Sequence, residues 1–264
     1  MIEGARAGAL AVVLGRAGSK GVPGKNSMVV GGKVCAAWSI EAARAAVGVK
    51  RVVVSSDCGR LAALAGAMGV GFVRRPEGLA GDEARVDEAA RHAALAVDPG
   101  GRFGEVVLLY ANVPVRPEGL IDGALAVLRE TGCDSVQSYA SVGKHHPMWC
   151  ASLGEGGRVS AFLGGELNGG VHRRQDLPAA FVPDGGVIAL TRRALMLEVA
   201  GAGDGPHAFF GVDRRGVETE GFGVVDIDSA MDVAVAEAAL AMRASERAVG
   251  GSDEGGVGSE ECAA

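Results

Sequence analysis

The apolar positions of this chain alternate between short continuous runs and helical repeats. The first run, residues 9–14, is apolar throughout and ends at Gly15, which is typical of a strand buried on both faces of a parallel sheet. Apolar residues then recur at helical spacing over residues 33–47, and a second strand is predicted at residues 51–57. Together these segments predict one βαβ unit.

The same alternation continues as far as residue 138. Helices are predicted near residues 60–68, 83–97 and 117–132, and strands near residues 69–74, 105–110 and 134–138. Strands that alternate with helices of this length indicate a mostly parallel sheet with helices on both faces. The predicted fold class is therefore α/β, and we expect ligands at the carboxyl ends of the strands.

The pattern changes over residues 139–183, where polar residues, glycine and proline mix without a helical period. We interpret this segment as an arm inserted into a single domain of residues 1–244. Regularity resumes with strands predicted at residues 186–190 and 223–227 and with helices predicted at residues 192–199 and 230–243. Asp228 or Ser229 would cap the last helix. The remaining residues, 245–264, are rich in Gly, Ser and Glu, and we predict that they are disordered.

Charge is distributed unevenly along the 264 residues, whose formal net charge is −6. Residues 4–40 contain five basic residues and no acidic residue. An acidic chain of this kind argues against nucleic acid or a membrane surface as a partner, because such binding usually needs a basic face. The basic segment instead predicts a local anion site.

The five cysteines are scattered and none forms a C-x-x-C pair, so neither a disulfide framework nor a zinc knuckle is supported. No signal peptide and no long apolar run is recognisable in the sequence. We therefore expect a soluble protein of a reducing cytoplasm.

The basic segment centres on a glycine-rich loop, residues 15–26, directly after the first predicted strand. Its glycines would let backbone N–H groups approach an anion, and its cationic side chains could close around a polyphosphate. The loop is not a Walker A motif, because Asn26 follows Gly24-Lys25 where Ser or Thr is required, and its glycine spacing is not G-x-G-x-x-G. A flexible basic surface loop is the alternative interpretation.

The segment from Arg16 to Asn26 resembles the signature of the acylneuraminate cytidylyltransferases, the CMP-sialic acid synthetases and their relatives. Further matches extend the resemblance over about residues 9–243. They lie at residues 54–57, 75–82, 146–147, 174–178 and 226–228.

The resemblance implies a Rossmann-like three-layer α/β/α nucleotidyltransferase fold with a β-rich dimerisation arm, and hence a homodimer. It also implies a reaction in which the anomeric hydroxyl of a 2-keto-3-deoxy nonulosonic acid attacks the α-phosphate of CTP and pyrophosphate leaves. Such chemistry depends mainly on positioning and on stabilisation of charge.

The resemblance further implies roles for individual residues. Arg16 and Lys25 would be catalytic and would neutralise charge on the phosphates. The implied nucleotide-binding residues are Arg16, Ser19, Lys20, Gly21, Lys25, Asn26, Arg75 and Ala84. The implied substrate-binding residues are Tyr110, Asn112, Arg174 and Gln175.

Asp226 and Asp228 lie two residues apart on a predicted extended segment, so their side chains would point to the same side. Two carboxylates together with phosphate oxygens suit Mg²⁺. From spacing alone, a helix cap at Asp228 and a solvated acid at Asp226 are the favoured interpretation. The resemblance favours the metal, and Mg²⁺ is the expected cofactor.

The chain departs from its relatives after the fourth predicted strand. Relatives usually carry Leu-Gln-Pro-Thr-Ser-Pro-Leu-Arg, and this chain has Leu-Tyr-Ala-Asn-Val-Pro-Val-Arg at residues 109–116. Tyr110, Asn112 and Val113 would alter groups that face the sugar or nucleotide. Asp184 replaces an asparagine and could repel a substrate carboxylate or cap a turn.

These departures leave the acid sugar and the base preference undetermined by the sequence. Two alternatives therefore stay open: a cytidylyltransferase for the eight-carbon 3-deoxy-octulosonate, and a nucleotide-binding relative without activity.

Overall fold

The computed structural model of the protein describes residues 8–18, 20–220 and 223–250. The strands are β1 (Ala9–Leu14), β2 (Val29–Val30), β3 (Lys33–Val34), β4 (Val49–Ser56), β5 (Gly71–Arg74), β6 (Glu105–Tyr110), β7 (Ser135–Ser141), β8 (Ala151–Leu153), β9 (Val159–Ala161), β10 (Phe181–Thr191) and β11 (Arg214–Thr219). The α-helices are α1 (Cys35–Ala45), α2 (Gly59–Ala67), α3 (Val86–Val97), α4 (Leu120–Thr131), α5 (Arg192–Leu195) and α6 (Ala230–Gly250). Within these ranges, no helix is long and apolar enough to cross a membrane.

Seven strands form the central sheet in the order β11-β7-β10-β6-β1-β4-β5. Neighbouring strands are parallel except at β10, which runs antiparallel to both β6 and β7. The prediction of a mostly parallel sheet is confirmed. The carboxyl ends of β1, β4 and β6 therefore meet at one edge, where the basic loop begins.

Strand β1 is central because each of its residues is apolar and buried. Ala9, Ala11 and Val13 face a core that includes residues of α1, α2 and α4. Leu10 and Val12 face a second core that includes residues of α3 and α5. The sheet is thus covered by helices on both faces, which confirms the three-layer α/β/α architecture.

Helix α6 packs outside these layers, in a third cluster that contains Val30, Val115, Ile227 and Ala236. This packing brings the segment before α6, which contains Asp226 and Asp228, beside the end of β6.

The end of the chain departs from the prediction in three places. Residues 223–227 are not a strand and make only an isolated bridge between Val225 and Val115. The edge strand β11 was not predicted, because its sequence, Arg-Arg-Gly-Val-Glu-Thr, has no apolar run. Helix α6 continues through Gly250, past the predicted end at residue 243, because residues 244–247 are mostly good helix formers. Residues 251–264 of the predicted tail lie outside the described residues.

The segment between β7 and β10 is the inserted arm. It carries the β8–β9 hairpin, and the indole of Trp149 donates to the carbonyl of Val171 (Nε1 to O, 3.0 Å), which ties the two halves of the arm together. Leu153, Phe162 and Leu163 of the arm are each more than 60% exposed. Exposed apolar side chains of this size are typical of a surface that contacts another protein.

Candidate active site

The basic loop is fixed over the carboxyl ends of the central strands. The Asn26 side chain donates to the carbonyl of Arg16 (Nδ2 to O, 2.8 Å), which joins the two ends of the loop. The Asp57 carboxylate, just after β4, accepts from the backbone N–H of Ala17 (2.7 Å). The loop therefore has a defined shape, which argues against the alternative of a flexible surface segment.

A cleft of about 290 Å³ opens beside this loop. It brings together predicted site residues that are distant in sequence: Arg16, Lys20, Gly21, Lys25, Asn26, Arg75, Ala84, Tyr110, Asn112 and Asp228. Ser19, which was predicted to bind nucleotide, lies outside the described residues.

The cationic side chains of the cleft are paired with aspartates. Lys25 is 17% exposed, and its Nζ lies 2.5 Å from Oδ1 of Asp228. Asp82 pairs with Arg16 and also with Lys20 (Nζ to Oδ2, 2.7 Å). Hydrogen bonds from Lys20 and Arg16 lower the pKa of Asp82 below its usual value. Anionic groups of the protein thus stand beside each cation that was predicted to bind phosphate.

Asp228 does not cap helix α6. The carboxylate of Asp232 accepts from the backbone N–H groups of Asp228 (3.0 Å) and Ser229 (2.7 Å), while the Ser229 hydroxyl lies 3.4 Å from the N–H of Asp232. This reciprocal arrangement between Ser229 and Asp232 caps the helix. The capping alternative for Asp228 is therefore wrong, and its carboxylate remains available to the cleft.

Asp226 is the more buried of the two predicted metal ligands. Burial and, after it, the nearby negative charge of Asp228 raise its pKa to about 6, while the charges of Lys25 and Arg116 act in the opposite direction. In the part of the chain that the structure describes, no group of three or more His, Cys, Asp or Glu could hold a metal ion. A cation at this pair would need oxygens from a ligand or water.

The basic loop approaches Asp228 so closely that only glycine fits at Gly21. A Cβ atom built at Gly21 would lie 2.3 Å from the carbonyl oxygen of Asp228. We expect Gly21→Ala to push the loop away from Asp228 and to weaken CTP binding by about tenfold, as overpacking of 1–3 kcal/mol implies. Calorimetric titration with CTP measures this change.

Gly18 provides the matched control, because a Cβ atom at Gly18 would meet no atom within 4 Å. Gly18→Ala should bind CTP as the unmodified protein does. Equal binding by both alanine variants would contradict the close approach of the loop to Asp228.

Arg75, which also lines the cleft, is held beneath the surface and is only 9% exposed. Its Nε donates to the Ser55 hydroxyl (3.0 Å), and its backbone N–H donates to the carbonyl of Ser56 (3.0 Å). Burial lowers the pKa of Arg75 to about 10, so the guanidinium stays charged at neutral pH. Together with Ala84, Arg75 forms the part of the cleft predicted to hold the base.

The three departures at residues 110–113 have different consequences. Val113 is fully buried, so the expectation that it alters a group facing the ligand is wrong. Tyr110 and Asn112 do line the cleft. The Asn112 side chain, however, is hydrogen-bonded to Asp226. Of the three changed residues, only Tyr110 alters the wall of the cleft without a hydrogen bond of this kind.

Asp184, the fourth departure, ties three strands together. Its Oδ1 accepts from the Ser138 hydroxyl (2.5 Å) and from the N–H of Gly186 (2.9 Å), and its Oδ2 accepts from the Thr219 hydroxyl (2.5 Å). These bonds join β7, β10 and β11. The acid therefore has a structural role between strands, and its charge is satisfied by neighbouring donors.

Arg116 is a buried arginine that sequence reasoning missed. It does not line the cleft but supports the 110–113 segment, since its guanidinium donates to the carbonyls of Gly186 (2.6 Å), Val113 (2.7 Å) and Tyr110 (3.0 Å) and to the Ser39 hydroxyl (2.8 Å). Burial lowers its pKa to about 10. The available signal was the arginine that closes the 109–116 segment in this chain and in its relatives.

Arg174 and Gln175 are not brought into the cleft. Both are exposed on a short 3₁₀ turn of the arm and neither lines the cleft of its own chain. The contact of Arg174 and Gln175 with a substrate therefore stays a prediction, because within one chain these residues do not line the cleft.

Comparison with known proteins identifies sequence relatives of modest identity. A family model described as cytidylyltransferase matches residues 10–146, just over half of the chain. An N-acylneuraminate cytidylyltransferase of Streptococcus agalactiae is 26% identical over 191 residues, which are 72% of this chain and 45% of that protein. A CMP-N,N'-diacetyllegionaminic acid synthase of Legionella pneumophila is 32% identical over 152 residues, which are 57% of this chain and 65% of that protein. The chain thus spans about half the length of the Streptococcus relative.

Among solved structures, a CMP:2-keto-3-deoxy-manno-octonic acid synthetase in complex with CTP superposes with a TM-score of 0.63. The superposition covers 90% of this chain and 99% of that chain at 17% sequence identity, so it supports the fold. With the matched family model and the cleft described above, the resemblance seen in the sequence is confirmed: this chain belongs to the cytidylyltransferase family.

Proposed function

We propose that the protein transfers CMP from CTP to the anomeric hydroxyl of a 2-keto-3-deoxy nonulosonic acid, with release of pyrophosphate. The observation that carries this proposal is the convergence of the basic loop and the distant Asp228 on one cleft, where Lys25 contacts Asp228. Asp226 does not line the cleft itself and is joined to it through the side chain of Asn112. The N-acylneuraminate and legionaminic acid enzymes of Streptococcus and Legionella, to which the chain is similar, support the same class of acceptor.

In the proposed reaction, a bond forms between the sugar oxygen and the α-phosphorus while the bond from the α-phosphorus to the oxygen that bridges it to the β-phosphate breaks. Pyrophosphate leaves with that oxygen, and the proton of the anomeric hydroxyl passes to water. Arg16 and Lys25 would exchange their aspartate partners for phosphate oxygens and neutralise the charge that develops there. Arg75 and Ala84 would receive the base. Lys20, Gly21 and Asn26 would orient the triphosphate and ribose.

Asp226 and Asp228 would hold Mg²⁺, and their oxygen-only donor set suits this hard cation. When bound, Mg²⁺ would offset the negative charge of the phosphates. Since Asp228 is not needed as a helix cap, its carboxylate can serve this purpose.

The proposal includes a cytoplasmic homodimer joined through the arm. The exposed apolar side chains of the arm support such a contact. Arg174 and Gln175 lie on the same arm. In a dimer joined through the arms, these residues would be able to reach a substrate, although they do not line the cleft of their own chain.

The 3-deoxy-octulosonate enzyme is a second candidate function. One specific observation favours it: Arg174 and Gln175, which would meet the nine-carbon substrate, lie outside the cleft. A nucleotide-binding protein without activity is less well supported, because a pure binder has little use for two aspartates opposite Lys25.

A substrate panel tests the proposal. Each of the four nucleoside triphosphates is offered with nine-carbon and eight-carbon acid sugars and Mg²⁺, and pyrophosphate release is measured. We expect release only with CTP and a nine-carbon acid. Release with the eight-carbon acid alone would establish the second candidate, and CTP binding without release from any pair would establish a binder.

Asp82 should compete with the triphosphate for Arg16 and Lys20. We expect Asp82→Asn to bind inorganic triphosphate about two- to threefold more tightly, because the ligand no longer displaces an exposed ion pair. Calorimetry at low ionic strength measures the difference. Glu83→Gln removes the same charge from the neighbouring residue and should leave binding unchanged; weaker binding by Asp82→Asn would show instead that Asp82 holds the loop in its binding shape.

A further inference from the structure

Asn112 connects the end of β6 to the segment that carries the aspartate pair. Its side-chain Nδ2 donates to Oδ1 of Asp226 and also to the backbone carbonyl of Ile227 (3.1 Å). Asn112 is only 9% exposed, so both bonds are sheltered from water. A single amide thus fixes one carboxylate oxygen of Asp226 relative to its own backbone.

The backbones on either side of this contact are also joined. The N–H of Ile227 donates to the carbonyl of Asn112 (2.9 Å), and the N–H of Val225 donates to the carbonyl of Val115 (3.2 Å). Asp226 lies between these two bonds. Its backbone position is therefore fixed by the neighbours, and its side-chain direction is fixed by the Asn112 amide.

This arrangement changes the role expected of Asn112. Both N–H groups of the Asn112 amide are directed to acceptors of the protein, so neither is left to donate to a sugar hydroxyl. Lys25 pairs with Asp228, whereas Asp226 receives its side-chain hydrogen bond from Asn112.

We propose that Asn112 is a positioning residue, which holds the Asp226 carboxylate in the orientation that binds Mg²⁺ together with Asp228 and the triphosphate. The inference rests on the proposed function, since it concerns the metal of the same cleft. In this interpretation the Asn112 side chain binds the protein's own Asp226 carboxylate, whereas the sequence alone suggested that it contacts the substrate.

The test compares CTP binding with and without metal. Calorimetry without acid sugar gives the Kd for CTP in EDTA and at saturating Mg²⁺. The Kd in EDTA divided by the Kd in Mg²⁺ measures how strongly bound metal favours nucleotide binding. In Asn112→Leu, which keeps the volume and removes the donors, we expect this ratio to fall roughly 10- to 100-fold. Metal-free CTP binding should be unchanged.

Thr219→Val is the matched control, because Thr219 is a buried donor to another carboxylate, that of Asp184, and neither residue lines the cleft. It should keep the ratio of the unmodified protein even if its unfolding temperature drops. Asn112→Ala, which cannot clash, decides the question if Asn112→Leu does not fold.

An unaltered ratio in a folded Asn112 variant would overturn the inference, as would an equal fall in Thr219→Val. If the unmodified protein itself binds CTP equally with and without Mg²⁺, the proposed metal fails and the inference fails with it. Pyrophosphate release in the substrate panel is independent of this result and reports on the proposed transfer.

Discussion

Asp228→Ala should lower metal-dependent pyrophosphate release by about a thousandfold, because loss of a metal ligand removes several kcal/mol of stabilisation from the transition state. The same substitution frees Lys25, whose Nζ lies 2.5 Å from the Asp228 carboxylate. We therefore expect CTP to bind more tightly than before when metal is absent. Initial rates at saturating CTP and titrations in EDTA measure the two effects.

The protein should fold normally in this variant, since Ser229 and Asp232 cap α6 without the Asp228 side chain. Glu237→Gln, on the exposed face of α6, changes the charge by the same amount and should affect neither the rate nor the affinity. A folded Asp228→Ala protein that retains its activity would remove Asp228 from the metal site.

Lys25→Met should reduce the rate of CMP transfer by about 10²- to 10³-fold, in line with the loss of one charge-stabilising donor in other active sites. In contrast to Asp228→Ala, it should weaken metal-free CTP binding, because a cation is removed from the cleft while both aspartates remain. In EDTA, Asp228→Ala should therefore tighten CTP binding and Lys25→Met should weaken it, and this difference distinguishes the two partners of one ion pair. Burst and steady-state rates with CTP provide the kinetic measurement.

Lys50→Met serves as the control, since Lys50 lies near the amino end of β4, where its ammonium contacts the carbonyl of Val47 (3.1 Å). Its rate and CTP affinity should match those of the unmodified protein. Tighter metal-free CTP binding by Lys25→Met would contradict a direct contact between Lys25 and the phosphates.

The parts of the fold that follow from hydrophobic pattern were predictable. Strand β6 was predicted with its observed bounds, and the continuous apolar run of β1 correctly indicated a strand buried on both faces. The basic loop was recognisable because glycines and cations directly followed that strand. That this loop lies near Asp226 and Asp228 was predictable only from the family resemblance, because nothing in local spacing links positions two hundred residues apart.

Other features depend on contacts that only the folded chain creates. The antiparallel direction of β10 leaves no mark on its sequence, and β11 is an edge strand with charged residues at its start. Asn112 and Asp184 looked like changes to the substrate pocket, yet each satisfies a partner within the protein. A single sequence cannot distinguish these two uses of a polar side chain.

The central claim is that one nucleoside triphosphate lies between the basic loop and the aspartate pair, and a crystal structure of the protein with CTP and Mg²⁺ tests it most directly. We expect the phosphates to contact Arg16 and Lys25, and Mg²⁺ to bind Asp226 and Asp228. CTP bound instead in the separate groove of about 560 Å³ between α1 and α6, with the Lys25–Asp228 pair intact, would contradict it.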